Sequence, residues 1–348
     1  MRKGIILLTV LALALIIFCA IQTQFVKAQS TSPICIRSDG SVDPATAPIQ
    51  HVGNAYKILA NINNTSLVVE KNNIVLDGQG FKLGSGIYAS GQAAINLTCT
   101  NVTVMNFHIT GWQVGVLGVF DGNTIVGNNF TQNGYDLAIY ANNYKVTGNY
   151  LGSERIVGNN NIISQNIISL RGYTSGFWIS SSSGTIIEAN DITLTKETTS
   201  FISTDNGNFQ VYHNNFVNIE VNTGGAFLFI ISYPQQTTDS SPPWDNGYPS
   251  GGNYWSDYAS RYPNATEIDS SGIGNTPYVN SVAPVVIDRY PLITQYNVPT
   301  PTIPTQPNQS PSPSLTPSPS VPEFPTWAAL LLIMSATLLT VLIRRKNC

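Results

Sequence analysis

The sequence predicts an all-β fold, a single-stranded right-handed parallel β-helix of about seven to nine coils. Three observations carry this. A short pattern recurs five times, as Ile125-x-x-Asn128-x-Phe130, Val146-x-x-Asn149-x-Leu151, Ile163-x-x-Asn166-x-Ile168, Ile187-x-x-Asn190-x-Ile192 and Val211-x-x-Asn214-x-Phe216. Its asparagines are separated by 21, 17, 24 and 24 residues, so a fixed local pattern rides on variable intervals. Asparagine is also abundant, 35 of 348 residues against 19 Asp plus Glu. Helical repeats of constant length cannot absorb such intervals. A β-solenoid can, because loops bulge from its corners while the strands keep register.

Each position in the unit has a physical reason. The aliphatic residues on either side of the corner point into the tube. The Asn is expected to take the corner itself, where its amide bonds backbone groups and tolerates unusual φ. Coils stacked at about 4.8 Å then align Asn128, Asn149, Asn166, Asn190 and Asn214 in a ladder. Val104-x-x-Phe107-x-Ile109 fits with Phe in the Asn slot, and Ile74 to Gly78 starts a less regular turn. An antiparallel sandwich also uses short strands and turns, but it does not require Asn at one internal position five times.

Around the coils the chain divides by composition. Residues 1–28 read as a signal peptide: Met1-Arg2-Lys3, an apolar run from Gly4 to Ile21, and Val26-Lys27-Ala28 before the expected cleavage. An uncleaved anchor is the alternative. Residues 29–65 form an N-terminal cap, 66–232 the coils and 233–298 a C-terminal cap. Residues 299–325 carry ten of the 21 prolines and predict a semi-rigid stalk. Residues 326–348 hold the uncharged run Trp327 to Ile343 and then Arg344-Arg345-Lys346, the pattern of a transmembrane helix with a basic cytoplasmic end. The expected location is therefore the cell surface, anchored in the cytoplasmic membrane. Seven Asn-x-Ser/Thr sequons make the exported part a candidate glycoprotein. Its sparse basic charge excludes a nucleic-acid binder.

Several motifs mark a family. Asn73-Ile74-Val75-Leu76-Asp77-Gly78 stands at the first coil, and Ile34-Cys35-Ile36-Arg37 at the N-terminal cap. After the coils come Asn253-Tyr254-Trp255-Ser256-Asp257-Tyr258, Gly272-Ile273-Gly274-Asn275-Thr276-Pro277-Tyr278 and Asp288-Arg289-Tyr290-Pro291-Leu292. Over about residues 34–293 the chain resembles the NosD-type β-helix proteins, the periplasmic copper-binding group, especially an archaeal surface branch. Pro322-Glu323-Phe324-Pro325 looks like a sorting tail of that branch. The resemblance implies a β-helix and, by the family's label, an accessory role toward copper.

The residues themselves support little metal chemistry, and no cofactor is expected. Met105-x-x-His108 is the one soft pair close in sequence, a fragment of a copper site. Asp269, Ser271 and Asn275 alternate around a glycine turn as weak calcium ligands. Cys35 and Cys99 are a possible disulfide in an exported chain. Catalytic residues are not assigned. The acids and bases of the coils, Asp136, Glu154, Arg155, Arg171, Glu188, Asp191 and Asp205, are dispersed, though Asp136 and Glu154 lie about one coil apart in expected loops. A hydrolase or lyase is the rival reading. Loop aromatics Trp112, Tyr135, Tyr140, Tyr144, Tyr173 and Trp178 are candidates for stacking on surface polysaccharide. Trp244, Asp245, Asn253, Trp255 and Asp257 are assigned to a cap over the last coil.

Overall fold

The computed structural model describes residues 32–170, 177–180, 183–194, 199–205, 208–217, 227–233, 244–280 and 286–305. The expected signal peptide, membrane segment, Arg171 and Tyr173 lie outside them. Among the described residues no helix is long and apolar enough to cross a membrane.

Three walls of parallel strands form an all-β, right-handed-type solenoid. The first wall starts with Ile49–Val52, antiparallel to Ala55–Ile58. It continues in parallel through Ile74–Asp77, Val102–Met105, Thr124–Val126, Lys145–Thr147, Ile162–Ser164, Ser183–Glu188 and Asn208–Tyr212. The second wall stacks Asn129–Thr131, Tyr150–Leu151, Ile167–Leu170, Asp191–Leu194, Asn215–Val217 and Tyr254–Trp255. The third stacks Tyr135–Tyr140, Glu154–Val157, Phe177–Ser180, Thr199–Asp205 and Phe227–Tyr233. The long strands Lys82–Leu97 and His108–Gly118 bend from the second wall into the third. About six turns between Val102 and Val217 follow the repeat, fewer than the seven to nine expected.

Strand alternation puts one residue in two inside. Val104, Ile125, Val146, Ile163, Ile187 and Val211 form one fully buried column. Phe107 and the asparagines follow at the next corner. Asn128, Asn149, Asn166, Asn190 and Asn214 are each wholly buried. The Asn128 amide donates to Asn149 Oδ1 at 3.1 Å, and the same link repeats from Asn149 to Asn166, Asn166 to Asn190 and Asn190 to Asn214 at 2.9–3.0 Å. Each Oδ1 also accepts the backbone N–H of the residue one rung earlier.

The unusual φ falls elsewhere than expected. The left-handed residue is the one just before each ladder position: Asn106, Gly127, Gly148, Gln165, Ala189 and His213, with φ between 53° and 64°. That turn aims the following amide inward along the stack. A second corner carries a mixed ladder. Asn123 Nδ2 donates to the Tyr144 hydroxyl at 2.9 Å, Tyr144 N–H to Asn161 Oδ1 at 2.8 Å, and Asn161 N–H to Thr185 Oγ1 at 3.3 Å.

The far end of the tube is closed by aromatic layers. Trp255 stacks on Phe216 at 4.4 Å and on Tyr278 at 4.2 Å between ring centroids, and Trp244 packs beside them. Asn253 continues the ladder, accepting from both nitrogens of Asn214. Its own N–H meets the buried Asp288 carboxylate at 2.7 Å, which also accepts Trp255 Nε1–H and Tyr290 N–H. Burial pushes the Asp288 carboxyl up to about 7 despite these bonds. Asp245 is held low by a forked pair of bonds from Arg289, although burial opposes it. Asp257 pairs with Arg261 and accepts the Tyr278 hydroxyl.

The segment expected to project from Pro299 lies instead along the second wall as far as Thr305. The Asn215 side chain brackets Tyr296, accepting its N–H at 2.7 Å and donating to its carbonyl at 2.9 Å. His213 stacks on the Tyr296 ring at 4.5 Å. Further along, the Tyr150 hydroxyl reaches the Pro301 carbonyl at 3.4 Å. Pro304 then covers Gly80 so closely that a Cβ there would lie 2.2 Å from its carbonyl oxygen.

Candidate functional site

The outer surface of the third wall presents the most exposed aromatics among the sugar-stacking candidates. Leu137, Ile139, Ile156 and Ile179 point inward and are fully buried or nearly so. Their neighbours Ala138, Tyr140, Arg155, Val157 and Trp178 therefore point outward. Register sets Ala138, Arg155 and Trp178 in one column on consecutive rungs, with Tyr140 in the adjacent column. The Arg155 guanidinium carbon lies 4.6 Å from the Trp178 ring centre and 5.6 Å from that of Tyr140. Attraction between a cation and an aromatic face, about 0.5–2 kcal/mol, holds the three together. Trp178 is 42% exposed and Tyr140 45%. Arg155 makes no hydrogen bond and no ion pair with any described residue, and its Nε is buried and unbonded.

A cleft of about 410 Å³ opens on the same rungs, where the second wall turns into the third. Asn133, Asp136, Tyr150, Ser153 and Ser169 are among its lining. Asp136 accepts the Gly152 N–H at 2.7 Å and the Asn133 amide at 2.9 Å. Glu154 takes a different course. It occupies an inward position in register with Leu137, is wholly buried, and neither of its oxygens has a hydrogen-bond partner. Burial, and then the charge of Asp136, raise its carboxyl well above the usual range. Both acids sit in strands, not in the loops expected, and only Asp136 lines the cleft.

The remaining candidates are scattered. Trp112 and Tyr144 are not loop platforms. Trp112 is buried in the strand His108–Gly118 with its indole N–H on the Leu83 carbonyl, and Tyr144 fills the second ladder. Tyr135 is half-buried. Met105 ends a strand of the first wall and His108 begins one of the second, with the Phe107 corner between them; His108 Nε2 lies 3.2 Å from Thr131 Oγ1. Ser271 and Asn275 spend their side-chain oxygens inside the Glu267–Gly274 turn, on Ile268, Ile273 and Thr266. Among the described residues no three His, Cys, Asp or Glu cluster as metal ligands. Cys35 and Cys99 are both free thiols. One rung separates theirs, since Cys35 pairs with Val68 and Val68 with Asn96. Two rung spacings of about 4.8 Å exceed the roughly 7 Å limit for a disulfide. Cys99 points at the Val69 and Lys71 carbonyls, and burial pushes its thiol up to about 11.

Sequence reasoning had Arg155 only as a dispersed charge. No local motif betrays that it lies between Tyr140 and Trp178, because the contacts cross from rung to rung over intervals of differing length. Asp288 was visible only as part of a family motif.

Residues 156–260 match the family described as "Periplasmic copper-binding protein (NosD)". No curated protein and no solved structure matches the chain. The match spans the later turns and the start of the cap, the region in which the ladder runs from Asn166 to Asn253. Taken together, the match over these residues and the parallel β-solenoid fit the NosD-type β-helix family.

Proposed function

We propose that this is an exported, membrane-tethered and non-catalytic β-helix protein that binds carbohydrate on the outer surface of its third wall. The observation that carries this reading is the pair of half-exposed rings, Tyr140 and Trp178, held on either side of Arg155. Pyranose rings stack on such faces through their C–H edges, and rings already fixed in place lose little freedom on binding. The neighbouring cleft offers amide and hydroxyl groups for the sugar hydroxyls. The family's periplasmic description supports export, and the apolar run followed by a basic end supports tethering at the surface. A hydrolytic pair is disfavoured because Glu154 is sealed in the core, beyond the reach of a substrate.

A glycan array with the chain released from its C-terminal segment tests the reading. Binding to at least one polysaccharide class is expected, falling about tenfold or more in Trp178→Ala and Tyr140→Ala, equivalent to about 1.4 kcal/mol each. Absence of any glycan binding, or binding that both substitutions leave intact, refutes it.

A further inference from the structure

We infer that the glycan recognised at this surface is anionic, a polysaccharide bearing carboxylate or sulfate groups that Arg155 reads; this deepens the carbohydrate reading and rests on it. Arginine carries five N–H donors in a planar fork and no acceptor. In most protein surfaces such a fork is spent on a neighbouring carboxylate or carbonyl. Here no described residue accepts from it.

The nearby acids are accounted for. Asp136 is bonded to Gly152 and Asn133 in the cleft. Glu154, the preceding residue, faces the opposite side of the strand, inside the tube. No carboxylate therefore competes for the guanidinium among the described residues. The outward neighbour one rung earlier is Ala138, whose small side chain leaves the ground beside Arg155 low. Tyr140 and Trp178 lie 5.6 and 4.6 Å from the guanidinium carbon, on the rungs before and after it, so the fork and its outer edge are held in place before any ligand arrives. Bidentate acceptance by a planar carboxylate or by two sulfate oxygens fits that edge. The two rings stand two rungs apart and in adjacent columns, each within 5.6 Å of the guanidinium carbon, so stacked sugars would flank a central anionic group.

The test uses the full chain and four polymers: polygalacturonate and its carboxyl-reduced neutral form, and dextran sulfate and plain dextran. The expected result is at least tenfold tighter binding to one anionic polymer than to its neutral counterpart. Arg155→Gln should erase that preference while weak binding to neutral polymer persists, and Arg155→Lys should restore it only in part. The wild-type preference should also shrink as salt is raised, a readout that needs no variant. Equal binding of anionic and neutral forms, or an unchanged preference in Arg155→Gln, overturns the inference and leaves the carbohydrate reading standing. A wild-type chain that binds none of these polymers and no neutral glycan overturns both.

Discussion

Replacing Asn166 by Ala tests the ladder at its middle. The Asn166 amide donates to the Val146 carbonyl and to Asn190 Oδ1, each at 3.0 Å. Its oxygen accepts from Asn149 N–H at 2.9 Å and from Asn149 Nδ2 at 3.0 Å. The partners differ in what they retain. Asn149 Nδ2 keeps the Ile125 and Thr147 carbonyls, and Asn190 Oδ1 keeps the Asn166 N–H. The Asn149 N–H loses its acceptor in a site closed to water. An orphaned buried donor costs about 1–3 kcal/mol and each neutral bond about 0.5–1.5 kcal/mol, so the expected loss is roughly 2–5 kcal/mol. The assay is urea denaturation followed by far-UV circular dichroism, comparing midpoints at matched slopes. Asn142→Ala is the control. Asn142 belongs to a solvent-facing ladder, bonded to Asp121 and Asn159, where water can replace its amide. It should cost under about 1 kcal/mol. Similar losses in both variants, or an Asn166→Ala midpoint equal to wild type, would refute the claim that buried amides register the rungs.

The buried acids predict an acid-favouring window of stability. Asp288, raised to about 7, binds a proton in the native chain but not in the unfolded one between about pH 4 and 7. Stability should therefore fall as pH rises through that range, by on the order of 4 kcal/mol for this group. Glu154 contributes in the same direction, and Glu154→Leu should flatten part of the slope and raise the urea midpoint at pH 7. Asn215→Ala and Tyr150→Phe should loosen the tail from the second wall, read as faster protease cleavage between Tyr296 and Thr305 in mass spectra. Alkylation should modify both Cys35 and Cys99 after non-reducing unfolding, whereas a disulfide would block them; in the folded chain Cys99 should react slowly.

The sequence made the parallel stack legible because one chemical solution, an inward amide, recurs at the same corner. The second ladder escaped notice because Asn123, Tyr144, Asn161 and Thr185 do one job with three chemistries. A phenol and a hydroxyl satisfy the backbone as an amide does, and no residue pattern betrays that equivalence. The left-handed corner was placed one residue late for a similar reason. Glycine at 127 and 148 hints at it, but Gln165, Ala189 and His213 adopt the same φ under the pull of the stack. The intervals between asparagines look like loops in the sequence, yet they hold strand and buried corner: Trp112 lies in the strand His108–Gly118 and Tyr144 at the second ladder's corner, where large rings have a core to fill.

Repetition fixes the inside of the tube and leaves the outside free. From Val116 to Leu137, and from Ile139 through Ile156 to Ile179, the inward columns of the third wall stay aliphatic, because each rung must pack on the next. The outward column passes through Leu117, Ala138, Arg155 and Trp178, where no such constraint acts. Glu154 breaks the inward rule. A buried acid without a partner costs stability, and a leucine would satisfy the register better. Its rung is also the one that carries Arg155 outward, so the exception and the proposed site share one strand. The Glu154→Leu variant separates the two. Retained glycan binding with a higher urea midpoint would mark the acid as a stability defect of the core. Lost binding in a more stable chain would show that the rung beneath Arg155 is tuned for the surface above it.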